Sequence, residues 1–420
     1  MKTTAEPMSN SGASTSSAKR LTTVTLFGFV SGLPFALTDS TLQAWLAISN
    51  INLETIGIFS LLGLPYVLKF LWAPLLDRYS SRWVGRRRGW IAASQCAIAF
   101  SILLLSGRNP SEETLLFAWI ALALAISSAT QDIAIDAYRA ELLLVRERGF
   151  GAGLSVAGYK VATIVSGAGA FIVADRIGFS SVYLILALVS ILGLVVTTMA
   201  REPALPSAPP INLHQALVEP LLVFVRRRDA QILISLILFY KLGDAAAGRL
   251  SITFLVRALE FSLTEIGAIY KGLGITASIV GGIVGGIIMV RLGLYRSLLV
   301  FALAQAATNI GFVLLAFLGK STGLMIMVVA FENLFGGMGT AALVALLIAL
   351  CDTRYTATQF ALLSAIASLG RVLIGPLAGS FVAATDWTVF FFVTVLLAIP
   401  GIVLIVRLRA TIEGVDRSID

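Results

Sequence analysis

The sequence predicts an all-α polytopic membrane protein, with twelve transmembrane helices in two pseudo-symmetric halves of six. A scarcity of charge, a series of apolar spans and an internal repeat predict this fold. Of the 420 residues, 58% are hydrophobic and 13% are charged, whereas soluble proteins carry about 25% charged residues. Since about 20 apolar residues cross a bilayer, the chain accommodates twelve crossings. No polar segment is left for a separate catalytic domain or a nucleic-acid-binding module.

The apolar spans are the elements of this fold, and each is long enough to cross with some tilt. We place them at 22–47, 54–76, 89–107, 114–138, 147–174, 179–200, 229–256, 262–290, 297–318, 322–350, 355–383 and 387–408. They predict one six-helix bundle at 21–200 and another at 229–408. Residues 1–20 read as a disordered tail and 409–420 as a C-terminal tail. The proline-containing linker 201–228 is predicted to include an amphipathic helix on the membrane surface.

The basic residues predict the orientation. Of the 31 Lys and Arg residues, 21 fall on one side of the predicted spans and four on the other. Because Lys and Arg accumulate in cytoplasmic loops, both termini and the linker are expected in the cytoplasm. The net charge of +8 is then mostly a topology signal and does not indicate a nucleic-acid partner. Cys96 and Cys351 lack the spacing of a metal site, so neither a metal nor a cofactor is predicted.

The two halves carry traces of a repeat. A motif that runs from Ala73 to Arg78, followed by Gly85 to Arg88, has a weaker counterpart around Val290, and Asp77 and Val290 are 213 residues apart. Lys160 and Arg371 are 211 residues apart and take matching places in the halves. Transporters with such repeats bind substrate near the midplane, between the repeats.

The first copy of the motif resembles the G-x-L-A-D-R-x-G-R-R loop of the major facilitator superfamily. The resemblance implies a charge cluster at the cytoplasmic gate formed by Asp77, Arg78, Arg87 and Arg88. The copy around Val290 has lost the acid, so only the first half is expected to form this cluster.

We single out eleven charged residues inside the predicted spans. A charge at the bilayer centre costs about 2.5–3.5 kcal/mol even on the mildest insertion scale, so these residues must pair or face a watery cavity. They therefore predict a polar substrate pathway. The bases are Lys69, Lys160, Lys241, Arg249, Lys271 and Arg371, and the acids are Asp39, Asp132, Asp136, Asp244 and Glu332.

Several of these charges have two readings. Lys241 and Asp244 are three residues apart on one helical face, which suits a local ion pair as well as a ligand site. Asp132 and Asp136 are four apart and share a face, as a proton carrier would need. Asp136 also falls near the cytoplasmic end of its span, where Arg139 or the cluster from Arg86 to Arg88 can pair with it in a gate.

Arg249 is expected to snorkel outward, and Lys69 and Lys271 are expected nearer the mouths of the pathway. Glutamine and asparagine neighbours add hydrogen-bonding groups that suit sugar hydroxyls or peptide bonds. The predicted substrate-binding residues are Asp39, Gln43, Gln131, Lys160, Lys241, Asp244, Lys271, Glu332, Asn333 and Arg371. The coupling proton is predicted on Asp132 or Glu332.

Longer strings resemble one family more closely. Segments 28–34 with 42–46, 69–74 with 85–90, 129–137, 240–245, 331–340 and 357–371 resemble the AmpG-type muropeptide permeases. The resemblance implies a multi-pass protein of the bacterial inner membrane that imports GlcNAc-1,6-anhydro-N-acetylmuramyl peptides, or the free disaccharide, with the proton gradient. It also implies a role in peptidoglycan recycling and, in some bacteria, β-lactamase induction. The expected partners are this amino-sugar substrate, protons and membrane lipid, without nucleic acid or an obligate protein partner.

Other classes stay open from the residues. A major facilitator carrier for another polar anionic solute, such as a sugar, a peptide or an acyl-CoA-like molecule, fits the same charges. A polytopic membrane enzyme acting on lipid-linked sugars also needs buried acids and bases. The near-equal halves, the gate-like loop at Asp77 and the lack of a surface His, Cys or Ser constellation disfavour an enzyme. A passive channel is a third alternative, which an uncoupler would not affect.

Overall fold

The computed structural model describes residues 11–78, 85–143, 147–203, 224–225, 229–351 and 356–416. Nearly all regular structure in these residues is helical. Of the predicted linker helix only residues 224–225, both helical, are described, and the side chains of Asp77 and Arg78 fall outside the described residues, so the structure does not address those predictions.

Eleven described helices are long and apolar enough to cross a membrane, and one of them, Leu154–Met199, has 46 residues. At 1.5 Å per residue this helix would be about 70 Å long, twice the ~30 Å hydrocarbon core. Its backbone leaves the helical region at Gly178, where φ is +78°, and the helix divides there into two spans. The all-α polytopic prediction is thus confirmed.

We number the spans α1 to α12. Their bounds are Ser17–Ile48 (α1), Leu53–Leu71 (α2), Arg86–Ser106 (α3), Thr114–Leu142 (α4), Leu154–Met199 divided at Gly178 (α5 and α6), Ala230–Arg257 (α7), Leu263–Leu292 (α8), Leu294–Leu318 (α9), Thr322–Ala349 (α10), Gln359–Ala384 (α11) and Trp387–Arg407 (α12). Short helices also occupy Ala73–Arg78 and Arg409–Asp416.

The first span of each half is interrupted at a charged residue. In α1 the helix stops at Thr38 and resumes at Ser40, with Asp39 between them at φ −120° and ψ −99°. In α7 the break falls at Lys241, where φ is −113° and ψ is 16°. Discontinuous helices are a common way for transporters to place charged and backbone groups near the midplane. The breaks therefore place a charged residue at an interruption within the first span of each half.

The helices pack in the same pattern within the two halves. In the first half α1 packs on α5, and α3 packs on α4 and α6; in the second half α7 packs on α11, and α9 packs on α10 and α12. Each contact of the second half repeats one of the first with the helix number raised by six. Between the halves, α2 packs on α11 and α5 packs on α8, which again are corresponding contacts.

Glycines allow α8 and α10 to approach closely. A Cβ on Gly281 would overlap the carbonyl oxygen of Leu334, and a Cβ on Gly285 would lie 2.7 Å from the Cα of Met338. Small residues permit such backbone contact between membrane helices. Gly281 and Gly285 thus form a packing surface between α8 and α10.

Gly281→Ala is expected to destabilise the protein by about 1–3 kcal/mol, the usual cost of overpacking. Gly282→Ala is the matched control, because a Cβ at Gly282 meets no atom within 4 Å. Thermal unfolding of both variants in one detergent measures the difference. Equal melting temperatures would show that α8 and α10 separate at no cost.

The chain ends differ from the prediction. The first helix continues back to Ser11, and the Arg20 guanidinium lies 2.6 Å from the Glu147 carboxylate. At the other end, Ile412 is fully buried and the Thr411 hydroxyl donates to Asp229 at 2.9 Å. Helical structure and contacts thus extend into both segments predicted as tails, and polar composition did not reveal these contacts.

Candidate functional site

The two halves meet on one side of the bundle. We call the side where α1 begins and α12 ends the terminal side. On the opposite side, Arg257 donates to the carbonyl oxygen of Ala47 at 2.7 Å, and Thr264 donates to Asp175 at 2.7 Å. The hydrogen bonds between the halves that we find among the described residues are confined to the middle and this opposite side. The space between the halves therefore opens toward the terminal side.

A central cavity of about 500 Å³ occupies this space. It is lined from α1 and α2 of the first half and from α7, α8, α10 and α11 of the second. Its volume falls in the range of about 300–1,000 Å³ that small-molecule sites occupy. Six predicted substrate-binding residues line it, namely Asp39, Gln43, Lys241, Asp244, Lys271 and Arg371.

An ion pair joins the halves at the cavity. Arg249 Nη1 donates to Asp39 Oδ1 at 2.8 Å, and Arg249 Nε donates to the carbonyl oxygen of Arg371 at 2.9 Å. The Gln43 side chain donates to the carbonyl oxygen of Arg249. The expectation that Arg249 snorkels outward was wrong, because its guanidinium finds a carboxylate on the other half.

Lys241 and Asp244 form a local ion pair and also line the cavity, so both interpretations of this pair hold. Lys241 Nζ lies 3.3 Å from Asp244 Oδ2, and both side chains line the cavity. Lys241 also donates to the Gly336 carbonyl at 3.0 Å and to the Thr340 hydroxyl at 2.9 Å. The pair is thus a local ion pair held against α10 that still borders the cavity.

The cavity carries an excess of positive charge. Four basic and two acidic side chains line it, and both acids are paired, with Arg249 and Lys241. Lys271 and Arg371 have no acidic partner within 4.0 Å among the residues that the structure describes. Lys271 Nζ lies 5.5 Å from the centre of the Tyr270 ring, which suits a weak cation–π contact. Two cations that face the cavity without an acidic partner provide a site for an anionic group.

Uncharged polar groups complete the lining, and the sequence interpretation did not single them out. The hydroxyls of Tyr66 and Thr38 are 3.1 Å apart, and Tyr270, Thr340 and Ser364 also line the cavity. The only sequence signal for some of them is their proximity to a charged lining residue. Thr38, for example, adjoins Asp39.

Four predicted substrate-binding residues do not line the central cavity. Gln131 is buried, donates to the Val30 carbonyl at 3.1 Å and borders a separate cavity of about 180 Å³ inside the first half. Lys160 is exposed on α5. Asn333 donates to Glu332 at 2.5 Å on α10. Their part in binding stays a prediction.

Asp132 and Asp136 belong to a second charge network. Lys69 Nζ lies 3.9 Å from Asp132 Oδ2 and 3.8 Å from Asp136 Oδ2. Ser31 donates to Asp132, and Arg139 donates to Asp136 at 2.9 Å. The structure thus pairs Asp136 with Arg139, as the gate interpretation requires, and Lys69 links the two aspartates.

The predicted gate arginines form a cluster on the terminal side. Arg87 donates to Glu141 at 2.7 Å, and the backbone N–H groups of Arg87 and Arg88 donate to Glu202 at 2.7 and 3.1 Å. Arg88 also donates to the Thr197 carbonyl at 2.8 Å. These bonds tie the ends of α3, α4 and α6 within one half. The sequence interpretation missed the acids Glu141 and Glu202, which lie outside the motif.

Two six-helix halves around a charged cavity that opens on one side define a polytopic membrane transporter. A family model described as Major Facilitator Superfamily matches residues 24–333. The chain is 46% identical over 389 residues to the anhydromuropeptide permease of Escherichia coli K12, covering 92% of this chain and 79% of that protein. It is 36% identical over 406 residues to an uncharacterized protein of Haemophilus influenzae, covering 94% of this chain and 95% of that protein.

Among solved structures, a mutant of the nucleoside transporter NupG matches with a TM-score of 0.73 at 15% identity, covering 93% of this chain and 99% of that one. This likeness concerns the fold alone. The chain belongs to the major facilitator superfamily and, within it, to the AmpG-type permeases. It is therefore a membrane transporter and not an enzyme.

Proposed function

We propose that this protein is a proton-coupled secondary transporter that imports anhydro-muropeptides across the bacterial inner membrane for peptidoglycan recycling. The substrates are GlcNAc-1,6-anhydro-N-acetylmuramic acid with or without its peptide. The similarity to the Escherichia coli permease supports this substrate class.

The unpaired cations of the cavity are the observation that carries the proposal. Lys271 and Arg371 face the cavity without an acidic partner among the described residues. A muropeptide brings carboxylates, which these cations bind, and sugar hydroxyls, which suit Asp39 and Gln43. Lys241 adds a third cation near the anionic end. Gln131, Lys160, Glu332 and Asn333, away from the cavity, would contribute only in another conformation.

Transport would proceed by alternating access, with one half rocking against the other. The Lys and Arg distribution supports a cytoplasmic terminal side, so the cavity as described would face the cytoplasm. Reaching the outward-facing state requires the Asp39–Arg249 pair to break and the terminal side to close. The cluster around Arg87 and Arg88 would then support the closed gate.

Uptake into membrane vesicles tests this proposal. We expect labelled GlcNAc-anhydro-N-acetylmuramic acid to accumulate when an inward proton gradient is imposed, and an uncoupler to abolish accumulation. Recovery of chemically unchanged substrate distinguishes transport from modification. Lack of gradient-dependent uptake in vesicles that contain correctly inserted protein would contradict the proposal.

Another polar anionic solute is the second candidate, because the cavity charges select for an anion rather than for one sugar. A competition panel of anhydro-disaccharide, free peptide, neutral disaccharide and an acyl-CoA separates the two. We expect only the anhydro-sugars to compete well. Competition by the peptide or by the acyl-CoA, without competition by the anhydro-sugars, would favour the second candidate.

A further inference from the structure

Three oxygen atoms surround the Lys241 ammonium group. They belong to the Gly336 carbonyl at 3.0 Å, the Thr340 hydroxyl at 2.9 Å and the Asp244 carboxylate at 3.3 Å. Lys241 stands at the break of α7, and a quarter of its side chain remains exposed. We call these three oxygen atoms the Lys241 cage. A long lysine side chain can leave such a cage without unfolding a helix.

The Asp244 carboxylate depends on Lys241 to neutralise its negative charge. Its Oδ2 atom contacts the ammonium group, while its Oδ1 atom is buried without a hydrogen-bond partner. The Gln305 amide nitrogen, which also lacks a partner, is nearby: it and Asp244 Oδ2 lie 3.8 and 3.9 Å from the position of a Cβ on Gly336. Removing the partner of a buried charge is costly. Without Lys241, the carboxylate would therefore favour a bound proton.

We infer that Asp244 binds the coupled proton when an anionic substrate draws the Lys241 ammonium out of its cage. This inference rests on the proposed function, since it requires an anionic substrate and a proton gradient. The substrate carboxylate gains a cation, and the proton from solution replaces that cation on Asp244. When the substrate leaves, Lys241 returns and the proton is released. Because each binding event favours the other, substrate and proton move together.

The other cations of the cavity act in the same direction. The cavity cations repel a proton from Asp244 until a bound anion neutralises them. The ionisable groups that face this region are Tyr240 and Arg249 on α7, Asp39 on α1, Tyr270 and Lys271 on α8, Glu332 on α10 and Arg371 on α11. The lipid-spanning parts of α9 and α12 contain no ionisable side chain between Leu298 and Leu318 or between Trp387 and Val406.

Asp244 suits this role better than the two carboxylates predicted from the sequence. Neither Asp132 nor Glu332 lines the cavity. Asp132 accepts a hydrogen bond from Ser31, so it keeps a partner whether or not Lys69 moves. Asp244 alone of the three combines a cavity position, an exchangeable ammonium partner and an oxygen atom without a donor.

The experiment measures proton uptake and substrate binding on the same purified protein. Labelled GlcNAc-anhydro-N-acetylmuramic acid is added to weakly buffered protein with a pH-sensitive dye, and binding is followed by thermal shift. We expect the wild type to bind with proton uptake and Asp244→Asn to bind without it. In vesicles, Asp244→Asn should exchange internal for external substrate but should not accumulate it against a concentration difference.

Comparison variants make the result specific. Lys241→Gln should also bind substrate without proton uptake, because its Asp244 is protonated beforehand, and Asp244→Glu should recover uptake. Glu112→Gln, on the exposed α3–α4 loop, is the neutral control. Proton uptake by Asp244→Asn equal to that of the wild type would overturn the inference. If Asp244→Asn does not bind substrate, wild-type proton uptake by Lys241→Gln would overturn it instead.

Asp132→Asn and Glu332→Gln test the rival carboxylates. Loss of proton uptake in either, with uptake retained in Asp244→Asn, would assign the proton elsewhere. A wild type that neither binds nor transports the substrate would instead contradict the proposed function. The two failures are therefore distinguishable.

Discussion

Arg371→Ala is expected to weaken anhydro-muropeptide transport roughly 10- to 100-fold in apparent affinity. Arg371 faces the cavity from α11 with no acidic partner among the described residues, so its guanidinium is free for a substrate carboxylate. A hydrogen bond to a charged group contributes about 1.5–3 kcal/mol, and each 1.4 kcal/mol is about tenfold in affinity. Concentration-dependent uptake of the labelled disaccharide, with and without peptide, measures the effect.

Matched variants separate the site from general charge effects. Arg176→Ala removes an exposed cation on the opposite side of the bundle and should transport like the wild type. Arg371→Lys keeps the charge but loses the planar fork, so an intermediate defect is expected. Unchanged affinity in a normally inserted Arg371→Ala protein would remove this residue from the substrate site.

Local spacing in the sequence predicted part of the site. The ion pair of Lys241 and Asp244 follows from three residues of separation on one helix, and the structure contains it. The pair of Asp39 and Arg249 joins residues 210 positions apart. It depends on how the halves dock, which no local pattern specifies, so Arg249 was misplaced.

The sequence also did not predict which side of each membrane helix faces the cavity. In a soluble protein an apolar stripe identifies the buried face, but α4 and α10 carry apolar residues on all sides. Gln131 and Glu332 were recognised as unusual in their spans, yet neither of them lines the central cavity, which the sequence could not show. The fold was predictable because span lengths and the repeat do not depend on helix rotation.

Breaking the Asp39–Arg249 pair is expected to shift the protein toward the state that opens on the opposite side. The pair joins the halves across the cavity, with 45% of the Asp39 side chain and 14% of the Arg249 side chain exposed. Its loss should cost about 1–3 kcal/mol, between the values for exposed and buried pairs. The ratio of the two conformations should then change roughly 5- to 100-fold.

Distances between spin labels measure this shift in Asp39→Asn and Arg249→Gln proteins that lack Cys96 and Cys351. Label pairs at highly exposed positions report each side. Met199→Cys with Val290→Cys lies on the terminal side, and Leu115→Cys with Phe317→Cys lies on the opposite side. We expect the first distance to shorten and the second to lengthen.

The exchanged pair supplies the control for this result. Asp39→Arg combined with Arg249→Asp restores opposite charges across the halves and should recover part of the wild-type distance distribution. The combined Asp39→Asn and Arg249→Gln variant should shift less than the sum of the single variants, because both remove the same interaction. If neither single variant changes either distance, the pair does not hold the opposite side closed, and other contacts between the halves, such as those of α2 with α11 and of α5 with α8, must control the alternation.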